Sequence, residues 1–396
     1  MASIRKRIMP SGETRWLVDY KDLRGVRRGR QFSTKKEAVD FETKVRADIA
    51  AGVHIADSAA LTVREAGDLW LERARTEGLE ASTVRQYHQH LKYHIIPLIG
   101  AVKLSRLHTP AVEEFRDKLL QTRSRSLSRA VLASLKAILT EAQRRGLAGQ
   151  NVAAKTKIRD AKRDKEEVEI PTKEEIRAIL TRVGDMWPLT RPLTSRQGDG
   201  RVVALPWRPL ILTAIFSGLR LSELRGLNWS HVDFDEGIIR VRQRADFQNR
   251  IGPPKSKAGN RDVPLAPTAL NTLKTWKVSC PLSPLKLVFP TKTGGVLSGS
   301  NLHRQCWRPL LRALDLVDIE LDSETKKQIE KPRYTFHCLR HTAASLFIEQ
   351  GWTPKKLMTV MGHSSIQMTF DLYGHLWKTL EDDAKAVAQI EARLLG

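Results

Sequence analysis

The chain has 396 residues, 41% of them hydrophobic, so it is long enough for two or three packed domains and wholesale disorder is not expected. Its formal net charge of +23 predicts a polyanionic partner, nucleic acid before anionic membrane, with a basic surface that has no such partner as the alternative. Three scattered cysteines, no apolar run of about 20 residues and no signal peptide predict a soluble protein of a reducing cytoplasm.

Residues 1–57 are predicted to form a small α+β domain. Trp16, Val18 and Tyr20 alternate, as one face of a β-strand requires. The predicted elements are the strands Ser3–Ile8, Arg15–Asp22 and Arg27–Phe32 and the helix Lys35–Ala50. A sheet rimmed with arginines can enter a DNA groove, although a generic cap with a solvated basic rim is the alternative. The candidate DNA-binding residues of this region are Arg5, Arg7, Arg15 and Arg28.

Residues 61–155 are predicted to form a helical bundle. Its helices begin at Thr62 and Ser82 or span Thr109–Leu120 and Leu127–Arg145. Basic side chains along a bundle can hold a duplex through its phosphates, and the candidates here are Arg85 and Lys92. Solvated helix faces are the alternative for each of these residues.

A charged run, Lys155–Glu169, is predicted to link the bundle to a third region, residues 170–396. Thr172 begins a helix there, and most of the region is predicted to be helical, with strands at about Val232–Leu265. A stretch with glycine and proline, Leu189–Gly200, is predicted to be a surface insertion. The predicted fold class is therefore mainly α with small β elements (α+β).

Four clusters in the third region carry residues suited to phosphate chemistry. In the first, Gly218 ends an apolar helix, so Arg220 lies at a helix junction where its guanidinium can bind a phosphate. In the second, a hairpin pairing Ile238–Arg244 with Asp262–Leu265 presents Lys257, an amine that can enter a minor groove or donate a proton. An ordinary surface arginine and a charged turn are the alternatives for either cluster taken alone.

The third cluster opens a helix with His337 and His341, a spacing that also suits zinc ligands. The metalloprotease pattern, however, requires a glutamate where Cys338 stands. A phosphate site is therefore favoured over a metal site, with Arg340 binding the anion and His337 donating to it near the helix N-terminus.

The fourth cluster joins a helix end at Gly362 to a short helix that begins at Ser364. His363 stands between them, and Tyr373 follows at a distance that one short helix can fold back. A lone tyrosine on a helix is most often a packing residue, so only the company of the other clusters makes Tyr373 a candidate nucleophile.

In their order and approximate spacing, these clusters resemble the tyrosine recombinases, especially the integrases of temperate phages and integrative elements. The matching residues are Arg220 with Glu223, Lys257, His337, Arg340, Gly362, His363 and Tyr373. The three regions resemble the arm-type DNA-binding domain, the core-binding bundle and the catalytic domain of that family. Two less typical stretches, Leu189–Gly200 and Leu321–Lys331, fall in predicted loops.

The resemblance implies a site-specific recombinase that cleaves and rejoins double-stranded DNA at attachment sites through a covalent 3′-phosphotyrosyl intermediate. Tyr373 would attack a phosphate whose oxygens are held by Arg220 and Arg340. Lys257 would then protonate the departing 5′-oxygen. Such a reaction needs no cofactor, neither ATP nor a metal, because the bond energy stays in the protein–DNA link.

The resemblance also assigns supporting roles. His337 and His363 would add hydrogen bonds to the same phosphate, and His337 would assist proton transfer from Tyr373. Glu223 would orient a neighbour such as His337.

By resemblance, four protomers hold two duplexes, helped by accessory DNA-bending proteins, at the nucleoid in the cytoplasm of a bacterial host. A helix predicted at about Leu380–Leu395 would dock on a neighbouring protomer or on its own domain. Two other functions remain open: a type IB topoisomerase-like enzyme with the same nucleophile, and a non-catalytic DNA-binding regulator on the same scaffold.

Overall fold

The computed structural model describes residues 2–22, 25–52, 54–159, 169–187, 195–196, 202–203, 205–321, 328–377 and 389–393. Over these residues the fold is mainly helical with small sheets, which confirms the predicted fold class. The chain divides into two compact units, Met1–Arg163 and Asp164–Gly396, each with a hydrophobic core of its own. None of the helices in the described ranges has the length and apolar content that a membrane crossing requires.

The first unit begins with a small sheet and a helix that covers one face of it. In chain order these elements are β1 (Ser3–Ile8), β2 (Thr14–Lys21), β3 (Arg27–Phe32) and α1 (Lys35–Ala50). The sheet is antiparallel in the order β1-β2-β3, and Val18 and Tyr20 of β2 are buried on the face toward α1. Thr34 caps α1 through reciprocal hydrogen bonds with Glu37. The four predicted elements are confirmed, with β2 shifted by one residue.

A helical bundle follows. Its helices are α2 (Val63–Thr76), α3 (Ala81–His90), α4 (Ile96–Ile99), α5 (Thr109–Thr122) and α6 (Arg125–Arg144), with a π-helical turn at Leu91–Ile95. Their apolar faces enclose a core in which Phe115 and Leu135 are at most 1% exposed. Thr62 caps α2 as predicted. Helix α6 begins two residues before the predicted Leu127 because the Ser124 hydroxyl accepts a hydrogen bond from the Leu127 amide.

The predicted boundary between the sheet and the bundle, residues 57–61, lies inside the first unit. Asp57 accepts hydrogen bonds there from the Ser105 hydroxyl at 2.6 Å and from the Arg106 guanidinium at 3.1 Å. The hydrogen bond from Arg106 is the largest cause that lowers the pKa of Asp57 to about 2, so this link is charged at neutral pH. The independence of the two parts as domains stays a prediction.

The second unit is built from helices around short antiparallel strands. Its helices are α7 (Lys173–Met186), α8 (Trp207–Ser217), α9 (Leu221–Gly226), α10 (Pro267–Ser279), α11 (Gly299–Leu302), α12 (Arg308–Arg312), α13 (Cys338–Glu349), α14 (Pro354–Met361) and α15 (Ile366–Tyr373). Shorter helical turns occupy Trp229–His231, Lys257–Gly259, His303–Trp307 and Gly374–Trp377. At the centre, Leu210 and Ile211 of α8 are fully buried among α7, α10 and α13.

The strands of this unit are β4 (Ser195–Arg196), β5 (Val202–Val203), β6 (Val232–Asp233), β7 (Ile238–Val241), β8 (Arg244–Ala245), β9 (Ile251–Gly252), β10 (Arg261–Pro264), β11 (Val317–Leu321) and β12 (Gln328–Pro332). Strand β10 pairs antiparallel with β7, with Asp262 opposite Arg240, which confirms the predicted hairpin. Its connection carries Lys257.

Several predicted segments lie partly outside the described residues. Of the linker 155–169, residues 160–168 are outside, as is most of the insertion 189–200. The less typical segment 321–331 is described except for residues 322–327, and the loop prediction is wrong for its described residues, which belong to the paired strands β11 and β12. Of the C-terminal helix expected at 380–395, residues 389–393 are described and are helical.

The bundle core predicts the effect of a single truncation. Phe115→Ala removes a ring that is 1% exposed, and we expect it to destabilise the bundle by about 3–5 kcal/mol through lost burial and the cavity left behind. Hydrogen–deuterium exchange of peptides from α5 and α6 measures this directly. The matched control is Gln121→Ala on the exposed side of α5. Equal protection in both variants would contradict this assignment of the core.

Candidate active site

A helix junction positions the first basic residue. Helix α8 ends at Gly218, whose φ of 62° is left-handed, and a Cβ there would lie 3.0 Å from the sulfur of Met361. Helix α9 begins after Arg220, whose backbone amide donates to Oε2 of Glu223 and whose Nη1 donates to Oε1, both at 2.9 Å. The glutamate therefore caps its own helix and holds the guanidinium of Arg220 at the same time.

Glu223 is also half of a buried ion pair. Arg261 donates to its two carboxylate oxygens at 2.8 and 3.0 Å, and both side chains are at most 3% exposed. Burial opposes ionisation of Glu223, but the hydrogen bonds and charge of Arg261, together with the charge of Arg220, outweigh it and lower the carboxyl pKa to about 2. Arg261 also donates through Nε to the carbonyl of Val360 at 2.5 Å, so the end of α14 is attached to the same pair.

These contacts change one predicted role and add one residue. The predicted role of Glu223 is to orient a neighbour such as His337. In the structure the hydrogen-bond partners of Glu223 are Arg220 and Arg261 instead. Arg261 is absent from the predicted set, although the sequence contains a signal for it. It alternates with Val263 on the buried face of β10, where a charged side chain requires a partner.

Lys257 lies in the short helical turn that precedes β10, and its side chain is exposed. The turn is packed against the end of α14 through Gly362, whose φ is 65°. A Cβ at Gly362 would lie 2.9 Å from the carbonyl oxygen of Ala258 and 2.9 Å from Nη1 of Arg261. Glycine therefore permits the close approach that brings the turn of Lys257 to the segment before His363.

Arg340 lies in the first turn of α13 and is buried. Its Nη1 donates to the carbonyl of Gly218 at 2.6 Å and its Nη2 donates to the carbonyl of Met361, while Nη2 of Arg220 donates to the carbonyl of Gly362 at 2.9 Å. Burial is the largest cause that lowers the pKa of Arg340 to about 9, so it remains charged at neutral pH. The two guanidinium groups thus donate hydrogen bonds to adjacent carbonyls. The side chain of Arg220 is 34% exposed, so it can also reach a ligand.

Tyr373 is the last residue of α15 and is completely buried against α13 and α14. Its hydroxyl lies 2.8 Å from Nδ1 of His341. The ring of His363 is nearly parallel to the tyrosine ring, with centroids 6.3 Å apart, and its Nδ1 lies 2.9 Å from the hydroxyl of Thr369. The tyrosine therefore lies between His341 of α13 and His363 of the connection between α14 and α15.

The titratable groups around the tyrosine are shifted toward their neutral forms. Burial is the largest cause in each histidine, and neighbouring positive groups add to it: the pKa of His341 falls to about 4, that of His363 to about 3, and that of His337 below its ordinary value. Burial also raises the pKa of Tyr373 to about 12, against the opposite effect of two guanidinium charges. At neutral pH the free site therefore combines a protonated phenol and neutral imidazoles with charged guanidinium groups.

The spacing of His337 and His341 also bears on the zinc alternative. Their rings meet edge to face with centroids 5.0 Å apart, and Nδ1 of His341 is engaged with the hydroxyl of Tyr373. Within the described part of the chain no group of three or more His, Cys, Asp or Glu side chains is arranged to hold a metal ion.

The predicted DNA-binding residues occupy different surfaces. Three of them lie on the sheet face opposite α1, as the cross-strand register requires: Arg5, Arg7 and Arg15. Arg28 lies on the other face of the sheet from these three arginines, and its guanidinium donates to Asp22 at 2.9 Å. In the bundle, Arg85 and Lys92 are both exposed.

Two family models match the chain. The model of the phage integrase family matches residues 203–379, which include every site residue from Arg220 to Tyr373. The model of the phage integrase N-terminal SAM-like domain matches residues 62–120, within the helical bundle. Prophage integrase IntR of Escherichia coli strain K12 is 30% identical over 190 residues, which are 46% of this chain and 45% of IntR. Several other curated relatives are also matched over less than half of their length.

Solved structures share the fold. The Tn1549 transposon integrase in complex with a circular intermediate DNA aligns with a TM-score of 0.64 and 19% identity, covering 84% of this chain and 100% of that one. A lambda integrase tetramer bound to a Holliday junction aligns with a TM-score of 0.55 and 17% identity, covering 91% of this chain and 95% of that one. The two family matches lead to one conclusion: the chain contains a phage integrase family domain at residues 203–379 and the N-terminal SAM-like domain of phage integrases at residues 62–120.

Proposed function

We propose that this protein is a site-specific DNA recombinase, an integrase that inserts and excises a mobile element through a 3′-phosphotyrosyl intermediate. The observation that carries the proposal is the attachment of Arg220 and Arg340 to the adjacent carbonyls of Gly362 and Met361, beside the helix of Tyr373. Both guanidinium charges act on the pKa of Tyr373, which supports their nearness to the nucleophile.

The arginines supply the main electrostatic contribution. A phosphodiester carries a negative charge that repels a nucleophile, and more charge builds on its oxygens in the transition state. Arg220 and Arg340 bind the non-bridging oxygens with donors that are already oriented by protein carbonyls and by Glu223. His337 and His363 add hydrogen bonds from neutral rings.

The reaction is a transesterification. Tyr373 attacks the phosphorus, the bond from phosphorus to the 5′-oxygen breaks, and Lys257 on its exposed turn protonates that oxygen. The 5′-hydroxyl of a partner strand then attacks the phosphotyrosine and releases the enzyme. The number of phosphoester bonds stays constant, so no ATP is consumed and this chain's own side chains perform each step.

Binding of double-stranded attachment sites is proposed for both units. The net charge of +23 favours a phosphate backbone, and Arg5, Arg7 and Arg15 form a basic sheet face that fits an arm-type site. Exposed Arg85 and Lys92 would contact the core site. Arg28 is a weaker candidate because Asp22 engages it.

We propose the same assembly that the lambda integrase structure contains, a tetramer on DNA, formed at the nucleoid in a bacterial cytoplasm with accessory DNA-bending proteins. The C-terminal helix would secure each protomer by docking either on a neighbour or on its own domain, and Ile390 there is 56% exposed. The topoisomerase alternative shares the nucleophile but relaxes a single duplex. That activity does not require a basic N-terminal sheet, so the sheet favours the recombinase.

Replacing the nucleophile provides the first test. On a nicked duplex that carries the attachment site, wild type should accumulate a covalent protein–DNA complex, and Tyr373→Phe should form none because it lacks the attacking oxygen. Denaturing gel electrophoresis measures the complex, and mobility shift measures binding, which should stay within about threefold of wild type. The matched control is Tyr93→Phe, which alters a tyrosine that is 56% exposed in the bundle. Wild type that binds this site and never becomes attached would favour the regulator alternative.

Arg261 provides a second test, because it holds Glu223 and through it Arg220. Arg261→Ala leaves a buried carboxylate without its main partner, and we expect a loss of about 3–5 kcal/mol in the stability of the second unit. Any folded fraction should cleave DNA at least ~10²-fold more slowly.

The control for that variant is Arg242→Ala. Arg242 pairs with Asp262 at 2.6 Å on the same sheet, but their side chains are 40% and 50% exposed, so the expected cost is below about 1 kcal/mol. Calorimetry and single-turnover cleavage measure both variants. Similar unfolding temperatures for the two variants would show that Arg261 does not hold Glu223 and Arg220 in place.

A further inference from the structure

We propose that His341 is the base that takes the phenolic proton from Tyr373 during strand cleavage and returns it during rejoining. This role rests on the proposed function and replaces the assistance that the family resemblance assigns to His337. His341 lies one helical turn after His337 on α13, and it belongs to none of the phosphate contacts proposed above.

Geometry distinguishes the two histidines. Nδ1 of His341 lies 2.8 Å from the hydroxyl of Tyr373, a hydrogen-bond distance, and the two rings are tilted with centroids 5.7 Å apart. His337 instead packs its ring edge to face against the ring of His341, with centroids 5.0 Å apart. A proton leaving the phenol therefore meets His341 first.

The electrostatic environment keeps His341 in its neutral form in the free protein. The titratable and charged groups that face it are His337, Arg340, His363 and Tyr373. Burial, the neighbouring His337 and the charge of Arg340 lower its pKa to about 4, so the ring is neutral at pH 7 and offers an unprotonated nitrogen. Because a phenol is the stronger donor of the pair, we assign the proton of this hydrogen bond to Tyr373 and the ring proton of His341 to Nε2.

The same environment couples the base to the substrate. In the free protein the charge of Arg340 disfavours a positive His341, and the phenol keeps its proton. A phosphate bound by Arg340 and Arg220 compensates those charges, which raises the basicity of His341. The base is thereby strengthened when the scissile phosphate is in place, which protects the nucleophile from reaction elsewhere.

The step balances in atoms and protons. As Tyr373 Oη bonds to phosphorus, its proton moves to Nδ1 of His341, and the bond from phosphorus to the 5′-oxygen breaks while Lys257 supplies a proton to that oxygen. Rejoining reverses both transfers: the incoming 5′-hydroxyl returns a proton to Lys257, and His341 returns one to the departing tyrosine oxygen.

The test combines removal of the base with a more acidic nucleophile. His341→Asn keeps a polar side chain of similar size but cannot take a proton, and we expect single-turnover cleavage of a nicked attachment-site duplex to slow by about 10²-fold or more. Difluorotyrosine at position 373 has a more acidic phenol, so its attack depends less on a base. In the His341→Asn protein this replacement should raise the cleavage rate by at least ~10-fold. His337→Asn is the matched control, and its defect should be unchanged by difluorotyrosine.

The possible outcomes separate a base role of His341 from a packing role. Cleavage by His341→Asn near the wild-type rate, or a defect that difluorotyrosine leaves unchanged, would show that His341 only packs beside the tyrosine. Recovery confined to His337→Asn would assign the base to His337. DNA binding and unfolding temperature are measured for every variant, and His341→Gln serves if His341→Asn does not fold. Failure of the proposed function itself is distinct, because wild type would then form no covalent complex.

Discussion

The buried ion pair between Glu223 and Arg261 is the interaction on which the site depends. It joins α9, β10 and the end of α14, three elements that are far apart in sequence. Removing one partner of such a pair leaves an unpaired buried charge, which costs several kcal/mol, so the pair acts as a unit. Because Glu223 also binds Arg220, the position of this partly exposed guanidinium, the proposed phosphate-binding group, is set by a buried carboxylate.

Around this pair, the charged groups and the candidate reactive groups are different residues. Arg340 stays positively charged at physiological pH although burial lowers its pKa, whereas burial moves the pKa of His341 and His363 further below, and that of Tyr373 further above, physiological pH, so these three groups are neutral. We propose that such a site attracts a phosphate without activating its nucleophile, and that cleavage requires the bound anion, whose charge compensates the arginines and allows a proton to leave the phenol.

Sequence patterns predicted much of this architecture. Capping residues such as Thr62 and Thr172, strand alternation and the order of basic clusters specify local structure and family, so the elements and the candidate residues could be named. Hydrogen-bond partners depend on how distant segments pack, so the roles of Arg261 and His341 could not be assigned from spacing alone. Arg28 illustrates the same limit, because strand register places its side chain on the other face of the sheet from Arg7 and Arg15.

A crystal structure of the Tyr373→Phe protein bound to its attachment-site duplex would show whether the buried pair positions the phosphate-binding groups. We expect the non-bridging oxygens of the scissile phosphate to lie within hydrogen-bond distance of Arg220 and Arg340, with the pair of Glu223 and Arg261 intact beside them. A phosphate bound away from both arginines, or an Arg220 that leaves Glu223 to reach it, would contradict the proposed role of the pair.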